Sequence, residues 1–377
     1  MNQLAAKRPR KMKNRLAILL TSTAALAYSA VSAQTTDAEN PYWEQYGKDP
    51  IEVVQTNNGS AQTLSFTDFK DGMLIAELAD GVGEISLPVS ESMARSLSLE
   101  NLSMSEVIAQ MADQNYTRAL ELLRPVAYPL IKFHQVPESF TQLHAPIRRL
   151  LDNLLSAELL PEAEDVIRRI ELDTVAPEYS EIALRLMNAY LAAGDFERAA
   201  QLTRQIPVEG QYAGNIRPIV DAADALRGAG KYDAVIPLYR EIETVVPADV
   251  KKNVQMWLAY SLVLADRVDE ATPLIDKLEE PAPKDRLFSL FNLLHGSREH
   301  RLENYGKALD LLSRGFVRAQ TSYVWVPEML YLIGDCYARY DSPLPARNVW
   351  TEITLLYPES PWAERAETAL ATLPKPK

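Results

Sequence analysis

One small or short residue returns along this chain at a nearly fixed interval: Ala119, Ala163, Ala199, Val235, Ala271, Ala308 and Ala346, in steps of 44, 36, 36, 36, 37 and 38. The surroundings repeat with it. In YLAAGDFERAAQL (190–202) and LRGAGKYDAVIPL (226–238), an apolar helical run meets a glycine, a polar residue, an aromatic, and then a second run opening on small residues. LVLADRVDEATPL (262–274) keeps that frame with Asp266 for the glycine and Val268 for the aromatic. Partial copies surround Ala119, Ala163, Ala308 and Ala346. A period of this size excludes a single closed core. Each unit is a helical hairpin whose apolar face must be covered by its neighbours, which makes the chain a solenoid. The glycine ends the first helix in a left-handed cap and reverses the chain. The aromatic (Phe196, Tyr232, Tyr305, Tyr116) plugs the hairpin's open end, and the alanine beyond it is small because two helices cross there. Pro207, Pro247, Pro281 and Pro358 stop second helices, and Ser103 with Glu106 fits a capping box ahead of Val107, Ile108 and Met111.

This pattern resembles the tetratricopeptide repeat family. The copy from Leu330 through LIGDCYARY to PARNVWTEITLLYP places Gly334, Tyr337, Ala346, Trp350 and Pro358 at that family's small, aromatic, small, bulky and terminal-proline positions. Ala199 with Tyr190 and Val235 with Tyr239 match more loosely. The resemblance covers residues 99–373, with periods longer than the usual repeat of about 34. Those periods, and the ending LLYPESPWAERAETAL, are similar to tetratricopeptide proteins of the bacterial cell envelope. The resemblance implies a mainly α superhelix of about seven hairpins with a capping helix near Pro361–Leu373. It also implies a non-enzymatic scaffold that binds proteins or peptides along a concave face lined by the first helix of each hairpin.

The segments before the array have a different character. Residues 1–33 join a basic head (Lys7, Arg8, Arg10, Lys11, Lys13, Arg15) to an apolar run ending in Val31-Ser32-Ala33, the form of a cleavable secretory signal. Export to the periplasm or exterior follows, without stable membrane insertion once the signal is cut; retention as an anchor is the other reading. Gln34 stands where a lipid-modified cysteine would have to be. Residues 34–98 form a leader and a β-rich segment. The leader, residues 34–48, is polar with Tyr42, Trp43 and Tyr46 interleaved, and reads as extended or partly disordered, with those rings packing on the sheet. IEVVQT, TLSFTDF, MLIAEL and EISLPV read as strands of a meander, with Asp71-Gly72 as a tight hairpin turn. So small a sheet is marginal alone and should dock on the first hairpin, as a cap or as a binding module.

Composition narrows the partners. Without the six basic residues of the signal, 33 basic face 51 acidic side chains, a formal net charge of −18. Such a surface repels phosphate backbones, so nucleic acid is excluded as a natural partner. The single Cys336 excludes an intrachain disulfide. No nucleophile elbow, phosphate loop or paired metal-binding cysteines occur, and His295, Glu299 and His300 are too poorly spaced on a helix to hold a metal together. No cofactor is expected. The register of the ladder turns Arg148, Asp152, Asn188, Asp224, Arg227, Tyr260, Asp335 and Arg339 toward the concave face. The family's lysines for gripping a terminal carboxylate are missing there, so these residues point to a partner with basic patches or an extended segment held by hydrogen bonds and Tyr260. The charge leaves the partner otherwise open, as it does the oligomeric state. A second reading is an accessory protein that binds glycan or cell-wall polymer through the β segment.

Overall fold

The computed structural model describes residues 40–374, apart from 58, 79–82, 100 and 101. The signal expected at residues 1–33 lies outside the described residues, as does the beginning of the leader. Five strands come first: β1 (Ile51–Asn57), β2 (Ser60–Lys70), β3 (Met73–Leu78), β4 (Glu84–Pro88) and, after a short helix α1 (Glu91–Ser96), β5 (Leu97–Leu99). Then come α2 (Met104–Ala112) with α3 (Tyr116–Leu130), α4 (Thr141–Ser156) with α5 (Leu160–Arg168), and α6 (Pro177–Ala192) with α7 (Phe196–Thr203). The series continues as α8 (Ile216–Gly228) with α9 (Tyr232–Val245), α10 (Ala248–Leu264) with α11 (Val268–Ile275), and α12 (Arg286–Arg301) with α13 (Tyr305–Phe316). It ends on α14 (Val326–Arg339) with α15 (Pro343–Leu356), followed by the single α16 (Pro361–Thr372). The described chain is thus an array of helical hairpins preceded by a small antiparallel sheet.

The corners explain the period. Each hairpin turns on one residue of positive φ: Gln114, Glu158, Gly194, Gly230, Asp266, Glu303 and Asp341. At every corner the next amide reaches back to a carbonyl five residues earlier, as from Asp195 to Tyr190 at 2.9 Å and from Asn304 to Glu299 at 2.9 Å. This is the Schellman closure of a helix end. Only two corners carry glycine, so the left-handed turn is imposed by the packing of the hairpin as much as by the residue. Five positions after each corner stands the small-residue ladder, and all its members from Ala119 to Ala346 are buried, at 1% exposure or less. The aromatic of the repeat is half-buried at Tyr116, Phe196, Tyr232 and Tyr305, lying against the corner rather than closed inside it.

Helix starts follow local chemistry. The side chains of Ser103, Asn115, Asp195, Asp285 and Ser360 each accept an amide of the turn they open, which satisfies donors the helix leaves free. Proline opens α5, α6, α14, α15 and α16, where its missing N–H costs nothing. Successive hairpins are also pinned by polar rungs one repeat apart. Asn215 donates to Ser180 at 3.0 Å, the Trp325 indole to Ser289 at 3.0 Å, and Arg301 pairs with Asp266 at 2.7 Å. First helices stack on first helices: α4 on α6, α6 on α8, α10 on α12, α12 on α14 and α14 on α16. They form one layer of the array, with α10 joined to it through α9.

The sheet has the order β4-β3-β2-β1-β5, antiparallel throughout. Asp71 and Gly72 both take positive φ, the type I′ turn that suits the strand twist. Ile51, Val53, Leu64, Phe66, Leu74 and Ala76 put one apolar face into the core, with the Phe66 ring 6.2 Å from that of Phe133, just beyond α3. The fifth strand, too short for a sequence pattern, pairs with β1 and touches α4. The leader differs most from the sequence expectation. From residue 41 to 47 it is a wide helical turn clamped on α3 and α5 rather than an extended strand on the sheet. Asn40 donates to the Tyr128 hydroxyl at 2.9 Å and to Asp165 at 2.8 Å, Arg124 lies 3.8 Å over the Tyr42 ring and Arg169 4.2 Å over Trp43. Those guanidiniums are oriented in turn by bidentate bonds to Glu162 and Asp165, so the aromatic residues meet a prepared cationic face.

Candidate functional site

The layer of first helices opens into a groove between the fourth hairpin and the end of the array. Its first chamber, about 590 Å³, is lined by Arg227 and Tyr232 around the fourth corner, Tyr260 of α10, Arg286 at the start of α12, Trp325 and Glu328 at the start of α14, and Trp362 and Arg365 of α16. A second chamber of about 390 Å³ shares Tyr232, Glu328, Trp362 and Arg365, and extends to Ser297, His300, Asp335 and Arg339. Both volumes are of the size that ligand sites occupy.

The charges in this groove are of two kinds. Most are neutralised within the protein. Asp224 accepts from the Tyr239 hydroxyl at 2.8 Å and from Arg227 at 3.4 Å, and the Arg227 guanidinium rests 3.6 Å over the Trp257 ring. Asp335 bonds His300 at 2.7 Å with Arg339 at 3.5 Å. Burial opposes the Asp335 charge, but the His300 bond and nearby Arg339 outweigh it and hold the carboxyl below its ordinary range. Arg286 and Arg365, by contrast, have aromatic faces and no carboxylate: Arg286 sits 5.2 Å from both Tyr323 and Trp325, and Arg365 4.3 Å from Trp362. No ion pair reaches either among the described residues.

Three buried polar atoms in the same groove make no well-aligned hydrogen bond: the Tyr260 hydroxyl and one Glu328 oxygen, whose side chains face each other, and the Ser297 hydroxyl. Tyr260 is 1% exposed, Ser297 2% and Glu328 7%. Burial pushes the Glu328 carboxyl up to about 7, against the pull of Tyr260 and of Arg227, Arg365 and Arg301. Burial likewise raises the Tyr260 phenol well above its usual value. Buried polar groups with unused bonding capacity are uncommon in folded proteins, and here the Ser297 hydroxyl and a Glu328 oxygen leave such capacity beside the hollow.

Of the residues read from the ladder, Asp224, Arg227 and Tyr260 meet in the first chamber, and Asp335 and Arg339 in the second. Tyr260 is floor rather than rim. Arg148, Asp152 and Asn188 belong to the earlier hairpins: Arg148 pairs with Glu138, Asp152 accepts from Arg185 at 2.6 Å, and Asn188 is exposed on α6. The acids that suggested a basic partner are therefore already satisfied, and the groove's unmatched charge is positive. Arg286, Glu328, Trp325, Trp362 and Arg365 escaped the sequence pattern because they lie at helix starts or on α16, outside the ladder's register. The isolated Trp362 two residues past Ser360 was the one available hint.

The remaining candidates serve the fold. His295 stacks on Phe291 with ring centroids 4.1 Å apart, and burial with neighbouring Arg298 pushes it down to about 4. Glu299 turns away to Asn304 and Lys307. No group of His, Cys, Asp and Glu suited to a metal is present among the described residues. Burial pushes the Cys336 thiol up to about 12, which keeps it protonated and unreactive. No helix among the described residues is long and apolar enough to cross a membrane.

No family profile and no curated protein sequence matches this chain. Among solved structures it is similar to Pseudomonas aeruginosa pilF, with 14% identity over 59% of this chain and 95% of that one at a TM-score of 0.34. It is also similar to Naa15/Naa10 bound to HypK-THB, with 13% identity over 72% and 39% at 0.34. For the APC/C hetero-tetramer Cut9-Hcn1 the figures are 11%, 71%, 54% and 0.33. The chain thus spans well under two thirds of the last two. Likenesses this low carry no argument about its partners.

Proposed function

We propose that the chain is a non-enzymatic scaffold of the bacterial periplasm or cell envelope, exported by residues 1–33 and binding partner proteins or peptides along its inner face. One observation carries the reading: first helices pack on first helices from α4 to α8 and again from α10 to α16, and leave polar residues such as Asn188 and Asp224 outside the core. Solenoids of this kind use that face for extended ligands. The alternative, glycan or wall polymer bound through the sheet, has less to support it, because the apolar side of the sheet packs into the core of the array.

A photo-crosslinking residue at exposed Asn188 or half-buried Asp224, in the native host, should capture a reproducible protein adduct, and the same residue at exposed Arg240 of helix α9 should not. Equal capture at all three positions, or none at the first two, would sink the scaffold reading. Recovery of the chain from the envelope fraction with Gln34 as its first residue tests export; recovery with Met1 in the cytoplasm would overturn it.

A further inference from the structure

We infer that the groove between α8 and α16 is a binding site for a small organic anion, a carboxylate or phosphate on a flat ring, held between Arg286 and Arg365. Nothing in the scaffold reading requires this site, and it stands or falls separately.

Four features converge on that chemistry. First, Arg286 and Arg365 line the same chamber and have no carboxylate partner among the described residues, while their guanidiniums are held in place by aromatic faces. A guanidinium braced on a ring keeps its planar fork of donors free for an oxyanion. Second, the Ser297 hydroxyl is buried and unpartnered and the Tyr260 hydroxyl is buried with Glu328 as its neighbour, at the floor of the two joined chambers, and both can donate. Glu328, whose carboxyl burial holds near neutrality at about 7, supplies a third donor in its protonated form. Third, Ser360, Pro361 and Trp362, the start of the twelve-residue α16, form part of the wall, and although Ser360 takes the amides of Trp362 and Ala363, the positive end of the helix dipole favours negative charge there. Fourth, Tyr232, Trp325 and Trp362 offer ring faces in the same hollow, which accounts for a flat body behind the anion.

A small molecule fits better than a chain because the groove is walled on both sides. The fourth corner, with Gly230 and Tyr232, lines the same chamber as Trp362 and Arg365 of the final helix, so the pocket is bounded by elements more than 120 residues apart in sequence.

The test is calorimetric titration of the full chain with adenosine monophosphate and with indole-3-acetate. Adenosine and indole serve as neutral counterparts, and inorganic phosphate and acetate as ringless ones. One ringed anion should saturate a single site per chain, with its neutral and ringless counterparts at least tenfold weaker. Arg286→Gln and Arg365→Gln should each weaken binding at least tenfold, while Arg314→Gln on α13 leaves it unchanged. Tyr260→Phe removes one hydroxyl that faces Glu328 without a well-aligned bond and keeps the ring's packing, so it should fold normally and weaken binding about threefold to tenfold. That variant keeps the inference open to refutation should the arginine variants lose helicity. The inference is overturned if neither ringed anion binds, if the neutral ring binds equally well, or if binding survives both glutamine substitutions. It is overturned too if a C-terminally amidated Glu-rich decapeptide binds in its place with the same sensitivity to Arg286 and Arg365; that result would hand the groove to a protein partner and leave the scaffold reading intact.

Discussion

Glu328 gives the structure a pH signature that a single isosteric change should erase. An unperturbed glutamate titrates near 4.5, whereas burial holds this one at about 7 in the folded chain. The groups facing it are Tyr260 of α10, Tyr232 at the fourth corner, Arg227 of α8, Arg301 of α12 and Arg365 of α16. Between the two values the native state holds a proton that the unfolded chain has released, so stability falls as pH rises through this window and levels off above 7. At about 1.4 kcal/mol per pH unit the full cost approaches about 3 kcal/mol, an upper bound that relaxation and water entry reduce. Glu328→Gln removes the titration without changing the shape of the side chain. Urea unfolding of wild type and variant followed by tryptophan fluorescence should give similar stability at pH 5. At pH 8 the variant should be the more stable by about 2 to 3 kcal/mol. Parallel curves across this range would refute the assignment of a buried, proton-holding Glu328.

Three further outcomes follow from packing. A methyl group on Gly334 would collide with the Trp350 indole, whose N–H donates to the Tyr331 carbonyl at 3.1 Å, so Gly334→Ala should cost about 2 kcal/mol in a urea titration. Glu158 and Glu303 occupy left-handed corners at φ 56° and 60°; Glu158→Gly or Glu303→Gly should be neutral or stabilising by up to about 1 kcal/mol, and Gly194→Ala destabilising by a similar amount in thermal melts. Phe66→Ala leaves a hole between the sheet and the segment following α3 and should cost about 4 kcal/mol, with hydrogen exchange accelerating first in β1 and β2.

The array was legible because its signal is periodic. Each ladder residue follows its corner by the same interval, so Ala199 and Val235 predicted hairpins before any contact was known, and even the acidic corner at Asp266 fell in place. The four longer strands were equally plain from alternation and the Asp71-Gly72 turn. What failed to show was everything decided by distant contacts. Leu97–Leu99 becomes a strand only because β1 offers an edge. The leader folds because Arg124 and Arg169, more than 80 residues downstream, present their guanidiniums to Tyr42 and Trp43. The groove was half visible: Arg227 and Tyr260 sit in register, but the unpaired arginines do not, and the sign of the unmatched charge depends on which acids already have partners.

The polar rungs that tie each hairpin to the next have a mechanical consequence. Because every rung spans about one repeat and none bridges the whole array, a chain pulled from its ends yields one hairpin at a time. Each rupture releases roughly 36 residues, about 120 Å of extended chain at about 3.3 Å per residue. A force–extension record should therefore show a sawtooth of nearly equal teeth, with the opening sheet breaking apart from the rest.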